Sequence, residues 1–187
     1  MSKPKLTIKD FQEAAKALNC EVAAIRAVAE VESRGGGYLD DGRPEILFER
    51  HVFHQKTAGK HSATHPDISN RTAGGYGKGG VNQHIRLEKA ANLNRDAALE
   101  SASWGKFQIM GYHWKALGYK SLQAFINAMY ESEAKQLDAF VKFIQVNGLA
   151  DELRNKQWAK FARAYNGPAY EKNSYHTKMA NAYKKYS

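Results

Sequence analysis

Residues 20–33 read CEVAAIRAVAEVES and run into Gly35, Gly36 and Gly37. On a helical wheel with Val22 at zero, Ala24, Ile25, Ala27, Val28, Ala29 and Val31 share one arc, from about 140° to about 340°. So wide an apolar arc predicts a buried helix, with Asn19 as its cap and the glycine run as its stop. Glu32 falls inside that arc, at about 280°, whereas Glu30 falls outside it, at about 80°. Glu30 is also four residues from Arg26, the spacing of a surface pair. Two glutamates two positions apart therefore have opposite prospects: solvated charge for Glu30, a buried carboxyl for Glu32.

The same periodicity recurs along the chain. Thr7 with Asp10 three residues on is a variant of the capping box, and it opens a helix over IKDFQEAAKALN. Helical patterns follow at 85–93 and after Asp96. Ser121 can cap 122–148 as one long helix or two short ones. Residues 157–165 form another, and Ser174 can cap a last basic helix reaching Tyr186. Pro44 followed by EILFE predicts a short strand, one arm of a small hairpin. Its alternation puts Ile46 and Phe48 on a core face and Glu45, Leu47 and Glu49 on the other. Residues 57–83, rich in Gly, Ser, Thr, Asn and His, form a long loop, a length often tied to function. The expected class is mainly α (α+β), with a small β region. No repeat or linker interrupts the chain, so one domain over 1–187 is expected, with no separate wall-binding domain.

Composition removes several function classes. Cys20 is the single cysteine, so neither an internal disulfide nor a thiolate cluster can form. No apolar run approaches the roughly 20 residues of a membrane span, and MSKPKLTIKD is not followed by a signal-peptide core. His51, His54, His61 and His65 run from a strand end into a polar loop, without a thiolate, so no metal is expected. No phosphate loop, dinucleotide fingerprint or nucleophile elbow is present, and no cofactor is expected. The net charge is +9, and residues 154–187 hold eight Lys/Arg against one acid, Glu171. Such a surface favours a polyanion: nucleic acid, anionic lipid or an acidic wall polymer.

The carboxylates carry the sharpest chemical signal. A Glu at the last turn of a buried helix is disfavoured as an anion by desolvation and by the helix dipole. A carboxylic acid kept protonated suits general-acid cleavage of a glycosidic bond. Glycosidases commonly use two carboxyls, and Asp40, Asp41, Glu45 and Glu49 follow closely. Glu49 is expected to project from the polar strand face as the second group. Asp41, in the turn DDGRP, is the weaker choice, because Asp there commonly serves turn geometry. ASWGKFQIMGYHW adds aromatic planes beside Ser103, Gln108 and Tyr112, a mixture suited to sugar rings. Tyr165 and Asn166 end a helix with polar groups that can face a ligand.

Read in order, AEVESRG, SWGKFQIMG and FARAYNGP resemble the catalytic and cleft segments of lysozyme-fold lytic transglycosylases and goose-type lysozymes. GRPEILFERHVFH, PDISN, DAALESASWGKFQIMG and FARAYNGPAY together resemble the N-acetylmuramidase domain of bacteriophage endolysins, over roughly residues 5–186. The resemblance implies a lysozyme-like helical fold with a small β region beside an active-site cleft. It also implies cleavage of the β-1,4 bond between N-acetylmuramic acid and N-acetylglucosamine in peptidoglycan. Glu32 matches the family's catalytic acid; Gln108, Tyr165 and Asn166 match cleft-lining positions. The second carboxylate does not carry over, since single-Glu transglycosylases need none, and Glu49 rests on the strand argument. Two other readings stay open: a lytic transglycosylase giving 1,6-anhydro products, and a non-catalytic glycan- or nucleic-acid-binding module. A lysin of this kind is expected to act as a monomer made in the host cytoplasm and to reach the wall by holin-type release. It requires no nucleic acid, and its basic C-terminal region is expected to meet an anionic wall or outer-membrane surface.

Overall fold

A computed structural model describes residues 3–33 and 35–187. Among the described residues there are ten α-helices and one three-stranded antiparallel sheet. The fold is therefore mainly helical with a small β element, as the periodicities predict. Packing divides the chain into two compact units, Met1–Lys3 with Arg34–Gln136 and Pro4–Ser33 with Leu137–Ser187.

The second unit is all helix. Helix α1 (Ile8–Leu18) opens with the expected capping box, in which Asp10 N–H donates to Thr7 Oγ1 (3.3 Å) and Thr7 N–H donates to Asp10 Oδ2 (2.7 Å). Asn19 does not cap the next helix. It ends α1 in the left-handed conformation (φ 49°), which asparagine tolerates better than most residues. Glu21 takes the N-cap position of α2 (Val22–Glu32) without a side-chain bond to it. Ile25 and Val28 on α2 are fully buried, each contributing about 1.5–3 kcal/mol of burial. The helix ends at Ser33 in extended backbone, before the glycines are reached. Its alanines, Ala23, Ala24, Ala27 and Ala29, are buried, and their small size lets α10 (Tyr175–Tyr186) pack closely through Met179 and Ala182. Glu30 stays on the outer side as expected, but its partners come from α10: Lys185 Nζ at 2.9 Å and the Tyr186 hydroxyl. Arg26 lies over the Tyr186 ring instead, at 3.9 Å.

The first unit carries the sheet, formed by β1 (Ile46–Phe48), β2 (Ala102–Trp104) and β3 (Ile109–Met110) in that order. The burial alternation of β1 follows the sequence, with Ile46 and Phe48 buried. Its partner differs from the expected local hairpin. Leu47 pairs with Ser103, across more than fifty residues, while the turn after Tyr38 closes only a Tyr38–Pro44 bridge. The hairpin is β2–β3. An unanticipated helix, α3 (Arg50–Lys56), follows β1 directly and makes Glu49 its N-cap residue. Helices α4 (Val81–Ala91), α5 (Arg95–Glu100) and α6 (Leu122–Glu131) complete this unit. The segment 122–148 is two helices, because Ser132 is extended (φ −164°) between α6 and α7 (Glu133–Val146). The remaining helices, α8 (Ala150–Arg154) and α9 (Trp158–Asn166), lie in the second unit.

Buried His84 on α4 fixes the Pro44 turn, with its Nε2 donating to the Pro44 carbonyl at 2.8 Å. Desolvation holds its pKa below the usual 6.5. The folded state thus binds less proton than the unfolded chain near and below that value. The stability contributed by neutral His84 is complete above about pH 6.5 and falls as the pH drops through the folded pKa. Thermal denaturation of His84→Gln, which keeps a donor for Pro44, should show a shallower loss of Tm between about pH 7.5 and about pH 5 than the parent. An equal slope would exclude His84 as the source.

Candidate active site

In the second unit, Glu32 is the last residue of α2 and Asn166 the last residue of α9. Glu32 is 8% exposed, and Asn166 Nδ2 donates to its Oε1 at 2.8 Å. Two residues singled out on separate grounds, one by its wheel position and one by its motif, thus meet across 134 positions. Beside Asn166, Tyr165 is half-buried, with its ring stacked on Phe161 (5.8 Å) and edge-on to Phe140 and Phe143 (5.5 Å each). That aromatic packing fixes the end of α9, and with it the Asn166 amide.

The first unit gathers the other sugar-contact candidates around the β2–β3 turn. Gln108 has φ 51°, a left-handed backbone that a non-glycine residue keeps only when its surroundings enforce it. Its amide supplies that enforcement: Oε1 accepts from Ser103 Oγ at 2.8 Å, and Nε2 donates to the Gly105 carbonyl at 2.9 Å. The Glu45 carbonyl lies 3.4 Å from the same Nε2. Ser103 is buried, so its hydroxyl serves to orient Gln108. Tyr112 is 42% exposed, flanked by the His113 ring at 4.4 Å and by Lys56 Nζ at 5.7 Å. An open aromatic face beside a cation suits a polar ring ligand.

The acids of the first unit differ in their engagement. Both oxygens of Glu49 accept from the Tyr76 hydroxyl at 3.1 Å, and His51 Nδ1 lies 3.2 Å from Oε2. The expected projecting carboxylate is thus tied to the glycine-rich loop, whose Thr72 carbonyl also accepts from Arg50 Nε at 2.9 Å. Asp41 accepts from Arg43 N at 3.0 Å, from Nε at 2.9 Å and from Nη2 at 2.6 Å. Those bonds hold its pKa below the usual carboxylate range, and they close its own turn. Glu45 differs from both: desolvation alone pushes its carboxyl above the usual range.

Sequence reasoning missed one cluster. Gln136, 1% exposed, looks like an ordinary helix residue. Its Oε1 accepts from Lys106 N–H at 2.8 Å, and its Nε2 donates to the carbonyls of Met129 (2.9 Å) and Gly37 (3.2 Å). Glu133 accepts from Gly37 N–H at 3.1 Å, with Lys106 Nζ at 3.5 Å. A Cβ on Gly37 would come within 2.2 Å of Gln136 Oε1, and one on Gly105 within 2.6 Å of its amide carbon. Two glycines and one amide therefore fix both the strand leading into the Tyr38 bridge and the turn carrying Gln108. The glycines were visible in the sequence; their partner was not.

The four histidines at 51–65 disperse. His54 bonds Ser62 (2.7 Å), His65 bonds Thr64 (2.8 Å), and His61 stacks on Phe53 (5.9 Å). Among the described residues no group of three or more His, Cys, Asp or Glu forms a metal-binding set. Among them, too, no helix is long and apolar enough to cross a membrane.

A helical protein with a small antiparallel sheet, a buried glutamate closing an apolar helix and an amide-locked hairpin turn has the parts of a carbohydrate-active enzyme. The N-acetylmuramidase family model matches residues 21–187, and the chain belongs to that family. It is 33% identical over 91 residues to the endolysin of Enterobacteria phage PRD1, a match covering 46% of this chain and 60% of that protein. The crystal structure of Burkholderia AP3 phage endolysin superposes on the whole of this chain and 73% of that one, with a TM-score of 0.95 and 47% identity.

The Gln136 cluster has a direct stability consequence. Gln136→Leu keeps the volume and strands the Lys106 N–H, at about 1–3 kcal/mol for a buried group left unpaired, while the Gly37 carbonyl keeps its bond from Glu45 N–H at 3.0 Å. Urea denaturation should show the protein destabilised by about 1–3 kcal/mol. A change below about 0.5 kcal/mol would mean that water replaces the amide without loss.

Proposed function

We propose that the chain is a peptidoglycan-cleaving glycosidase that cuts the β-1,4 bond between N-acetylmuramic acid and N-acetylglucosamine, with Glu32 as the general acid. The observation that carries this reading is the seat of Glu32 at the end of an apolar helix, buried, with one oxygen held by Asn166. As the glycosidic bond breaks, the leaving oxygen takes the Glu32 proton, and water adds to the anomeric carbon through an oxocarbenium-like transition state, its proton passing to the Glu32 carboxylate to restore the acid. Membership of the N-acetylmuramidase family and likeness to two phage endolysins support a role in phage lysis. The substrate partner is the host wall, reached after release from the cytoplasm. Gln108 and Tyr112, with Ser103 behind Gln108, and Tyr165 with Asn166, are the residues assigned to saccharide recognition. The chain acts as a monomer, as one domain, without metal or cofactor.

The second carboxylate is reassigned within this reading. Glu49 holds loop 71–80 through Tyr76, and Asp41 holds its own turn. Their engagement also favours a second product: if no carboxylate activates water, the muramyl 6-hydroxyl attacks the same carbon and gives a 1,6-anhydro end.

The decisive variant is Glu32→Gln, which keeps size and the Asn166 contact while removing the donated proton. Clearing of permeabilised Gram-negative cells should fall about 10²–10⁴-fold with an unchanged circular dichroism spectrum. Near-normal clearing would end the assignment. Glu49→Gln, which still offers Tyr76 an acceptor, should retain activity within a few-fold. Mass spectrometry of the released muropeptides separates the two products, the anhydro form being lighter by one water.

A further inference from the structure

The opposite end of α9 from Asn166 carries a groove that the reaction does not use. Its volume is about 560 Å³, within the roughly 300–1,000 Å³ of small-ligand sites. It lies between the first turns of α9 and α10 and is lined by Gln157, Trp158, Lys160, His176, Thr177 and Ala180, among others. Eight helical steps separate Trp158 from Asn166, about 12 Å along the axis.

Four observations bear on what fits there. Trp158 is half-buried and braced against the Tyr183 ring at 5.5 Å, so it offers a fixed aromatic plane. His176 is braced likewise against Tyr170 at 5.4 Å, and its Nδ1 is closed off from the groove, so the ring serves as a fixed wall. Gln157, Lys160 and Thr177 are exposed at the rim. Neither α9 nor α10 has a side-chain cap, so their first N–H groups add to the positive field of Lys160. A flat apolar plate, the exposed amide and hydroxyl of Gln157 and Thr177 and a positive edge match a sugar ring bearing a carboxylate. They match DNA less well, because the lining is mainly apolar and Lys160 is its one cation.

We propose that this groove is a second glycan site, which holds a peptidoglycan strand through one N-acetylated sugar and the carboxylate of its peptide stem. It takes its choice of polymer from the proposed function, but it is separable from catalysis. Sugar stacks on Trp158, a hydroxyl or acetamido group meets Gln157 or Thr177 at the rim, and the stem carboxylate meets Lys160. The groove would keep the protein on the wall between cuts.

The test uses the full chain carrying Glu32→Gln, so that the polymer is not digested, and measures co-sedimentation with purified sacculi. Ala159→Glu is the informative variant. Ala159 is exposed in the first turn of α9, where an acid favours the helix, so lost binding does not arise from unfolding. Ala159→Glu and Lys160→Glu should each weaken sacculus binding about tenfold, with Tm unchanged or raised. A titration with the disaccharide N-acetylglucosaminyl-N-acetylmuramyl dipeptide should shift the Trp158 indole N–H resonance, and the shift should be lost in Ala159→Glu. Binding equal to the parent in both variants overturns the proposal. So does a Trp158 resonance moved by duplex DNA and not by the disaccharide. Failure of Glu32→Gln to abolish clearing would instead count against the proposed acid and leave these binding results standing.

Discussion

The hydrogen bond from Asn166 to Glu32 joins the last residues of two helices that are far apart in sequence, and the rest of the second unit is arranged to keep it. A side-chain bond of 2.8 Å survives only if both helix ends are held to a fraction of an ångström. Helix α10 supplies that hold. It packs against both α2 and α9, burying Met179 and Ala182, while Glu30, Lys185, Tyr186 and Arg26 tie its far end to α2 from outside. The exposed ion pair is worth little alone. Its use is orientation, while the burial supplies the energy.

This dependence explains what was legible in the sequence. The wheel placed Glu32 inward and Glu30 outward because helix periodicity is a local property, and both assignments hold in the structure. The capping box at Thr7 was legible for the same reason. Asn19 shows the limit of local rules. Asparagine caps the start of a helix with its side chain or ends one with its backbone in αL. Only the spacing between α1 and α2 decides which, and the second option won. The partner of β1 was illegible because strand alternation reports which face is buried, never which strand lies alongside.

Glu49 and Gln136 both have long-range partners that sequence reading does not give. Strand alternation put Glu49 on the polar face, but the next residue begins α3, and a loop residue 27 positions on delivers the hydroxyl that occupies its carboxylate. Gln136 sits in a helix whose pattern gives no hint that its amide serves three backbone groups. Long-range bonds from side chain to backbone leave no periodic trace. What they do leave is glycine: Gly37 and Gly105 are the positions where backbone meets that amide too closely for any Cβ. Those two glycines were therefore the one readable sign of the cluster.

The basic C-terminal region takes on a different meaning once its apolar side is accounted for. A helix that binds a membrane by insertion needs a free apolar face. The apolar residues of α10 are already spent against α2, with Met179 fully buried. Insertion would require undocking the helix that braces Glu32 and Asn166, and so would cost the proposed reaction its acid. The charge is better placed to act without insertion. Lys172, Lys178 and Lys184 are exposed, and charge of this kind acts on an anionic polymer over a range set by the Debye length, about 8 Å at physiological salt. Attraction of that kind is fast, weak and non-specific. It becomes retention only where a shaped surface carries such charge itself, as the proposed Trp158 groove does through Lys160.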